Sequence, residues 1–180
     1  MKLNRGFLIV CFCALFASTS TNDDVFKPGG AVKTFGKIAA VDSDVEISNG
    51  TVFKVRFDSG RGSSKGINST FDSVARFINL KHAAGIPKDN IQLAIVVHGS
   101  ASLDVTVDEF YAAQKKGRTN GSAEAVAELQ KHNVKFYICG QSAAYNKIKK
   151  TDLLPGVKVA HSAMTIHALL GSDDYLLNPF

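Results

Sequence analysis

The sequence lacks an apolar run long enough to cross a membrane. Its longest apolar stretch, Phe7 to Phe16, has about ten residues, whereas a spanning helix needs roughly twenty. Lys2 and Arg5 precede this stretch and small residues follow it at positions 17–20, which is the layout of a secretory signal peptide. The pattern therefore predicts that residues 1–20 are cleaved, that the protein is periplasmic or secreted, and that it makes no stable membrane insertion.

Cysteine is also scarce, with three residues in the chain. Cys11 and Cys13 leave with the predicted signal peptide, so Cys139 remains alone. An exported protein normally uses its cysteines in pairs, as disulfides. Because one thiol cannot form a disulfide within its own chain, Cys139 is a buried structural thiol, an intermolecular partner or a reactive thiol.

Runs of one charge sign are missing as well. The formal net charge is +5, and it falls by two when Lys2 and Arg5 are removed. The basic residues are scattered, and no run interleaves them with aromatic residues. Nucleic-acid binding is therefore not expected.

The remaining chain is predicted to form one globular domain preceded by an arm. An apolar content of 45% argues against disorder, and about 160 residues suit a single core. Pro28-Gly29-Gly30 and Asn49-Gly50 interrupt the first part. We therefore expect an N-terminal arm over residues 21–50 and one α/β domain over residues 51–180.

Strand and helix patterns alternate from residue 51 onward. Apolar runs typical of strands are followed by segments with helical spacing, and the strands are predicted at 52–57, 91–97, 134–138, 157–160 and, as an edge strand, 175–177. The first helix is predicted from a cap at Asn68 or Ser69 to a stop at Gly85, on the helical spacing of residues 71–78. Further helices are predicted at 107–115, 123–131, 143–150 and from Ser162 to about Gly171, with Ser122 and Ser162 as caps. This alternation predicts a three-layer α/β/α sandwich around a mainly parallel sheet of about five strands.

Four polar residues end successive predicted strands: Asp58, His98, Cys139 and His161. Parallel sheets bind ligands at the carboxyl ends of their strands, so we expect all four to project toward one edge. Cys139 precedes a helix predicted to begin near Ser142, and backbone N–H groups at a helix start favour a thiolate. Cys139 is therefore predicted to be the catalytic residue, open to solvent, although a buried apolar filler is the alternative.

The histidines allow several interpretations. His98 is either a base or ion-pair partner of the thiolate, or a strand-end residue that satisfies a loop carbonyl. His161 and His167 could be drawn into a metal site with Cys139 and His98, but no closely spaced ligand pair supports one. We therefore predict no metal, and we interpret His167 as an ordinary surface or interface residue.

The stretch from about Val52 to Tyr175 resembles the DsrE/DsrF-like family. The resemblance rests on segments that occur in the right order, among them Val96-Val97-His98-Gly99, Cys139-Gly140-Gln141-Ser142-Ala143, Leu153-Leu154-Pro155-Gly156 and Ser162-Ala163-Met164-Thr165. It implies a flavodoxin-like fold, assembly into homotrimers or homohexamers, and a persulfide carried on Cys139. Position 161 is usually apolar in the family, and the segment from Gly171 to Tyr175 departs from its pattern.

Together these features predict an exported sulfur carrier that uses Cys139. The binding pocket is predicted to consist of His98, Gly99, Gly140, Gln141 and Ser142. The partner is a sulfur donor or acceptor protein or a small thiol, and no cofactor is required. The alternative is a non-catalytic oligomeric protein that binds a small ligand at the strand ends; a cysteine hydrolase lacks a visible orienting acid.

Overall fold

The computed structural model describes residues 25–179, so the predicted signal peptide lies outside the described residues. The strands are β1 Phe53–Ser59, β2 Ile91–Val97, β3 Lys135–Cys139, β4 Lys158–Ala160 and β5 Leu176–Asn178. The helices are α1 Ser69–Ala83, α2 Asp108–Gln114, α3 Ala123–Lys131, α4 Gly140–Tyr145 and α5 Ala163–Ser172. Short 3-10 turns occupy Lys88–Asn90, Gly99–Val105 and Lys150–Asp152.

The sheet has five strands in the order β4-β3-β2-β1-β5, and every neighbouring pair is parallel. The central strand β2 is apolar almost throughout, and every residue except Gln92 is buried. A strand covered on both faces requires this composition. The prediction of an α/β fold around a parallel sheet of about five strands is confirmed.

The two faces of the sheet carry cores of different size. On the face that packs against α1 and α3, here called the α1 face, Phe57, Ile95 and Phe136 join a large buried cluster. On the opposite α5 face, Ala94 and Val96 pack against α5 in a much smaller cluster. The residues of β2 alternate between these two cores, as side chains of a strand must.

Helix caps position the elements around the sheet. The Asn68 side chain accepts a hydrogen bond from Thr70 N–H at 2.9 Å, and the Ser162 side chain accepts one from Thr165 N–H at 3.0 Å. These two predicted caps are confirmed. Ser122 occupies the predicted cap position of α3, but its side chain makes no capping bond, because Oγ accepts a tertiary hydrogen bond from the Asn68 N–H at 3.0 Å.

The helix after β3 differs from the prediction at both ends. It begins at Gly140, directly after Cys139, and ends at Tyr145. Gly140 lies so close to β4 that a side chain there would approach the Ala160 carbonyl oxygen to 2.7 Å. The helix ends early because the chain turns at Lys147, which adopts a left-handed φ of 57°.

The segment that precedes β1 packs against α1. The buried Asn79 side chain accepts hydrogen bonds from the N–H groups of Ala31 and Val32 and donates to the carbonyls of Val32 and Gly36. Val32 is fully buried, so this segment adds to the core. Within residues 25–179, no helix combines the length and the apolar character that a membrane crossing requires.

Candidate active site

The sheet register places three of the four predicted strand-end residues on one face. Val97 pairs with Ile138, so the next residues, His98 and Cys139, both belong to the α5 face. Asp58 pairs with Val96, whose side chain packs in the α5-face core. The carboxyl ends of β1, β2 and β3 therefore bring Asp58, His98 and Cys139 to the same edge and the same face.

Cys139 is the last residue of β3 and directly precedes α4. The backbone N–H groups of Ser142, Ala163 and Gln141 and the Ser142 hydroxyl lie close enough to the thiol to favour its anion, although Cys139 makes no side-chain capping bond to α4. Gln141 and Ser142 belong to the first turn of α4, whereas Ala163 is the first residue of α5. Two helix starts therefore lie beside one sulfur atom.

These contacts determine the charge state of the sulfur. Burial raises the pKa of the Cys139 thiol, but the hydrogen bonds from Ser142, Ala163 and Gln141 together outweigh it, so the pKa lies below its ordinary value. The largest contributions to this shift come from burial and from Ser142, Ala163 and Gln141, none of which is a histidine. Backbone dipoles and one hydroxyl group favour the anionic form of the sulfur, as at other helix N-termini.

Ser142 connects the sulfur to the end of β2. The Gly99 N–H donates a hydrogen bond to Ser142 Oγ at 3.0 Å. Because Oγ accepts from Gly99, its own proton is available to the sulfur, and hydrogen bonds in such a chain strengthen one another. Gly99 has a φ of 53° and lies so close to β1 that a Cβ would be 2.8 Å from the Gly60 carbonyl oxygen.

The sulfur is less accessible than the sequence predicts. Cys139 is 5% exposed. It forms no disulfide with any described residue. The expectation of a thiol open to solvent is wrong, because the starts of α4 and α5 cover it. A pocket of about 430 Å³ lies beside it, lined by Gly99, Ser100, Gln141, Ser142, Tyr145 and Asn146. Ser142 lines this pocket and also contacts the sulfur.

The His98 ring contacts Asp58 and not the sulfur. Its Nε2 lies 3.0 Å from each Asp58 carboxylate oxygen. Neither predicted role describes this contact, since His98 is neither hydrogen-bonded to the thiol nor used to satisfy a loop carbonyl. The Asp58 carboxylate orients the His98 imidazole toward β1. Cys139 lies on β3, on the other side of β2.

His167 is a site residue that the sequence analysis missed. Its Nε2 lies 2.8 Å from Asp58 Oδ1, so one carboxylate holds two imidazoles. Burial raises the pKa of Asp58, but the hydrogen bonds from His98 and His167 outweigh it and leave the pKa below its usual value. Helical spacing in the sequence could have indicated that His167 faces the sheet. The i, i+3, i+4, i+7 stripe of α5 that faces the sheet consists of Ala163, Ile166, His167 and Leu170.

The proton positions in this trio follow from its geometry. An ionised carboxylate only accepts hydrogen bonds, so His98 and His167 both donate through Nε2–H. A neutral imidazole that donates through Nε2–H has its lone pair on Nδ1. The Nδ1 of His167 is buried and has no hydrogen-bond partner among residues 25–179. Asp58, His98 and His167 therefore form a polar cluster with unused hydrogen-bonding capacity.

His161 lies at the edge of the site. Its backbone carbonyl accepts a hydrogen bond from Gln141 Nε2 at 3.2 Å, while the residue itself is exposed. The strand-end argument therefore brings three side chains together and leaves His161 outside. In the part of the chain that the structure describes, no group of three or more His, Cys, Asp and Glu residues could hold a metal ion.

A second polar cluster lies among the loops at the same edge. The Asp104 carboxylate accepts hydrogen bonds from Asn68 Nδ2 and from the Ser63 N–H, both at 2.7 Å. Asp104 is 1% exposed, and its burial raises the pKa of the carboxyl group above the ordinary value. These contacts fix the loop that follows β1, and none of them involves the sulfur.

Comparisons with known proteins agree with this architecture. The model of the DsrE/DsrF-like family matches residues 55–179. Among solved structures, the chain is similar to protein MTH1491 of unknown function from Methanobacterium thermoautotrophicum, with 16% identity and a TM-score of 0.54. It is also similar to the ychN protein from E. coli, with 16% identity and a TM-score of 0.51.

In both cases the similarity covers 70% of this chain and 97% of the other protein. At this identity the likeness shows the fold alone, and it is consistent with a flavodoxin-like sandwich. No curated protein matches the chain.

Proposed function

Because the chain belongs to the DsrE/DsrF-like family, we propose that it is an exported sulfur carrier whose Cys139 accepts and transfers sulfane sulfur. One observation supports the role of Cys139 most strongly. Backbone N–H groups at two helix starts and the Ser142 hydroxyl lower the pKa of its thiol although the residue is buried. A nucleophilic sulfur needs this property, because the thiolate is the reactive form.

The proposed step is an exchange between sulfur atoms. The Cys139 thiolate attacks the terminal sulfur of a donor persulfide, R–S–SH. A new S–S bond forms on Cys139, the donor S–S bond breaks, and the donor leaves as the thiolate R–S⁻. The terminal sulfur keeps its proton and its oxidation state, so the step needs no cofactor and no outside oxidant. An acceptor thiolate releases the sulfur by the same exchange.

The site contributes two things to this exchange. The N–H groups of Gln141, Ser142 and Ala163 stabilise negative charge on the sulfur before attack, and they remain available to the persulfide anion afterwards. The pocket lined by Gly99, Gln141 and Ser142 offers polar groups to a donor beside the sulfur. Its partner is proposed to be a sulfur donor or acceptor protein or a small thiol.

The decisive experiment is sulfur loading followed by intact mass measurement. A low-molecular-weight persulfide donor is expected to add one sulfur atom to the wild type, and peptide mapping should locate that atom on Cys139. Cys139→Ser should gain nothing under the same conditions. Equal sulfur gain by the two proteins would overturn the proposal, and so would a wild type that stays unmodified at a large excess of donor.

Export is proposed from the first twenty residues. A lone thiol outside the cytoplasm meets oxidising conditions, so a mixed disulfide with a partner is a second form of the same chemistry. Expression of the full chain followed by N-terminal sequencing tests this point. A mature protein that begins near residue 21 in the exported fraction supports export, whereas an intact Met1 in the cytoplasmic fraction contradicts it.

Assembly into a homotrimer or homohexamer is proposed together with this function. Several large apolar side chains on α5 and β5 are exposed in the single chain: Met164, Leu169, Leu176 and Leu177. Such residues are typical of surfaces that another subunit covers. Light scattering coupled to size-exclusion chromatography should give three or six times the mass of one chain; a monomer at micromolar concentration would contradict this assembly.

The alternative function is binding of a small ligand without catalysis. The low exposure of Cys139 favours it, since a sulfur that takes no part in transfer needs no access. In that case Cys139→Ala keeps the function, the thiol reacts with an ordinary pKa, and the pocket beside Ser142 holds the ligand. Unchanged sulfur transfer in cells that carry Cys139→Ala would favour this alternative.

A further inference from the structure

A second cavity lies at the other end of the sheet from Cys139. It has a volume of about 210 Å³, and Ile91, the first residue of β2, forms part of its wall. Ala31, Ile78 and Ile86 supply the rest of the apolar lining. An apolar cavity of about 150 Å³ can already hold a molecule of the size of benzene, so this one has room for a short hydrocarbon group.

The polar groups around this cavity are mostly basic. His82, Lys88 and His132 complete the lining. Lys88 Nζ donates one hydrogen bond to the Lys131 carbonyl at 2.8 Å, which leaves two of its three hydrogens for another acceptor. Among the described residues, Glu128 is an acid that contacts this group, with its Oε1 3.7 Å from His132 Nε2.

The three basic groups are close enough to influence one another. Burial lowers the pKa of His132; Glu128 opposes this effect, while the charges of Lys88 and His82 lower the pKa further. An anion that binds beside Lys88 and His132 favours the protonated imidazole. The cavity therefore combines an apolar interior with a rim of basic side chains.

The cavity depends on a segment outside the matched family region. Ala31 lies before residue 55, where the family match begins, and Asn79 holds its backbone in place. Gly30 passes so near His82 that a Cβ there would be 2.9 Å from the imidazole Cδ2. Ala31 therefore supplies one wall of this cavity from outside the matched family region, and it takes no part in the sulfur site.

We propose that this cavity binds a small organic carboxylate with a short aliphatic tail. The hydrocarbon tail lies against Ile78, Ile86 and Ile91, and the carboxylate lies at the rim beside Lys88 and His132. Charge selects the ligand class, since the Lys88 ammonium and the imidazole N–H groups beside an apolar interior suit an amphiphilic anion better than an alcohol or an amine. The proposal does not depend on sulfur transfer.

The test is a titration of the isoleucine-methyl-labelled protein with hexanoate, 1-hexanol and hexylamine, followed by NMR. Hexanoate is expected to shift the methyl signals of Ile78, Ile86 and Ile91 with saturation at millimolar concentration or below. Hexanol should bind at least about tenfold more weakly, the loss expected for one charged contact, and hexylamine should not bind. Absence of saturable shifts with hexanoate, or equal binding of hexylamine, would overturn the proposal.

Two matched pairs of variants locate the site. Ala31→Phe fills the cavity and should abolish binding, whereas Ala40→Phe, at an exposed position of the same segment, should not. Lys88→Gln should weaken hexanoate binding about tenfold, the loss expected for one charged contact, while the exposed Lys33→Gln leaves it unchanged. Normal binding by Lys88→Gln and Ala31→Phe would place the ligand elsewhere and contradict the proposal, and Cys139→Ser should bind as the wild type does.

Discussion

Asp58 and Asp104 are two carboxylates at the same edge of the molecule, and they behave in opposite ways. Asp104 is 1% exposed and is held by the amide of Asn68 and the N–H of Ser63, and its pKa is raised. Asp58 has a side chain that is 45% exposed and is held by two histidines, and its pKa is lowered. Asp104 is therefore held by neutral amide groups, and Asp58 is held by two imidazole rings.

The difference separates a structural cluster from a chemical one. Asp104 joins loop segments through hydrogen bonds in which every partner is neutral and fixed, so its role is to stabilise the fold. Asp58, His98 and His167 contact one another through a carboxylate and two imidazoles, and they share the α5 face and the carboxyl edge with Cys139. We therefore expect the chemically active residues on the α5 face, which has the smaller core, and the stabilising cluster on the α1 face.

The largest difference between the two sites is expected in the free energy of unfolding after each carboxylate is removed. Asp104→Ala leaves two buried donors without an acceptor and is expected to lower the free energy of unfolding by about 3 kcal/mol. Asp58→Ala should lower it by less than about 1 kcal/mol, because exposed ion pairs contribute little. Urea denaturation measures both values. Equal losses for the two variants would contradict the distinction between the clusters.

The acid dependence of stability should differ in sign between the two sites. The pKa of Asp58 is lowered on folding, so its contribution is present above the ordinary aspartate pKa and is lost as the pH falls below it. The pKa of Asp104 is raised, so its contribution is present at low pH and is lost as the pH rises through the folded-state value.

Unfolding of Asp58→Asn and Asp104→Asn as a function of pH measures these contributions. Relative to the wild type, Asp58→Asn should lose less stability on acidification below the ordinary aspartate range. Asp104→Asn should lose less stability as the pH rises from acid toward neutral. Slopes of the same sign for both variants would show that the two carboxylates are equivalent.

The contact between Ser142 and the sulfur can be tested on its own. Ser142→Ala removes the hydroxyl group beside Cys139, which helps to lower the pKa of the thiol, and is therefore expected to raise that pKa. Alkylation by iodoacetamide at several pH values measures this shift. Ser172→Ala, at the exposed end of α5, is the control. A Ser142→Ala profile that overlays the wild type would exclude this contact from the site.

The smallest effect is expected at His167. His167→Ala removes one of the two imidazoles on Asp58, so the carboxyl pKa should move up toward its ordinary value. Carbon-detected NMR titration of the aspartate carboxyl groups follows this change, with His161→Ala as the control because that side chain lies outside the cluster. An Asp58 titration that stays the same without His167 would remove this residue from the site.

The sequence predicts the parts of this site that depend on local pattern. Alternating strands and helices predict the parallel sheet, and the position of Cys139 between a strand and a helix predicts its contact with helix N–H groups. The start of α4 at Gly140 was not predictable in this way, because it depends on close packing against Ala160 of β4.

Contacts between distant segments could not be predicted from the sequence. The hydrogen bond from Gly99 to Ser142 and the contact of His167 with Asp58 join positions 43 and 109 residues apart. Their geometry follows from strand order and from the placement of α5, neither of which local propensity determines. The low exposure of Cys139 has the same origin, since the start of α5 covers a residue of β3.

The ionisation of Cys139 can be measured directly from the pH dependence of its alkylation in the wild-type protein. The rate should follow a thiolate with a pKa below the unperturbed value of 9.0, because helix-start N–H groups and the Ser142 hydroxyl stabilise the anion. Unfolded protein in urea provides the ordinary thiol for comparison. A folded-state midpoint equal to or above that of the unfolded chain would contradict the account.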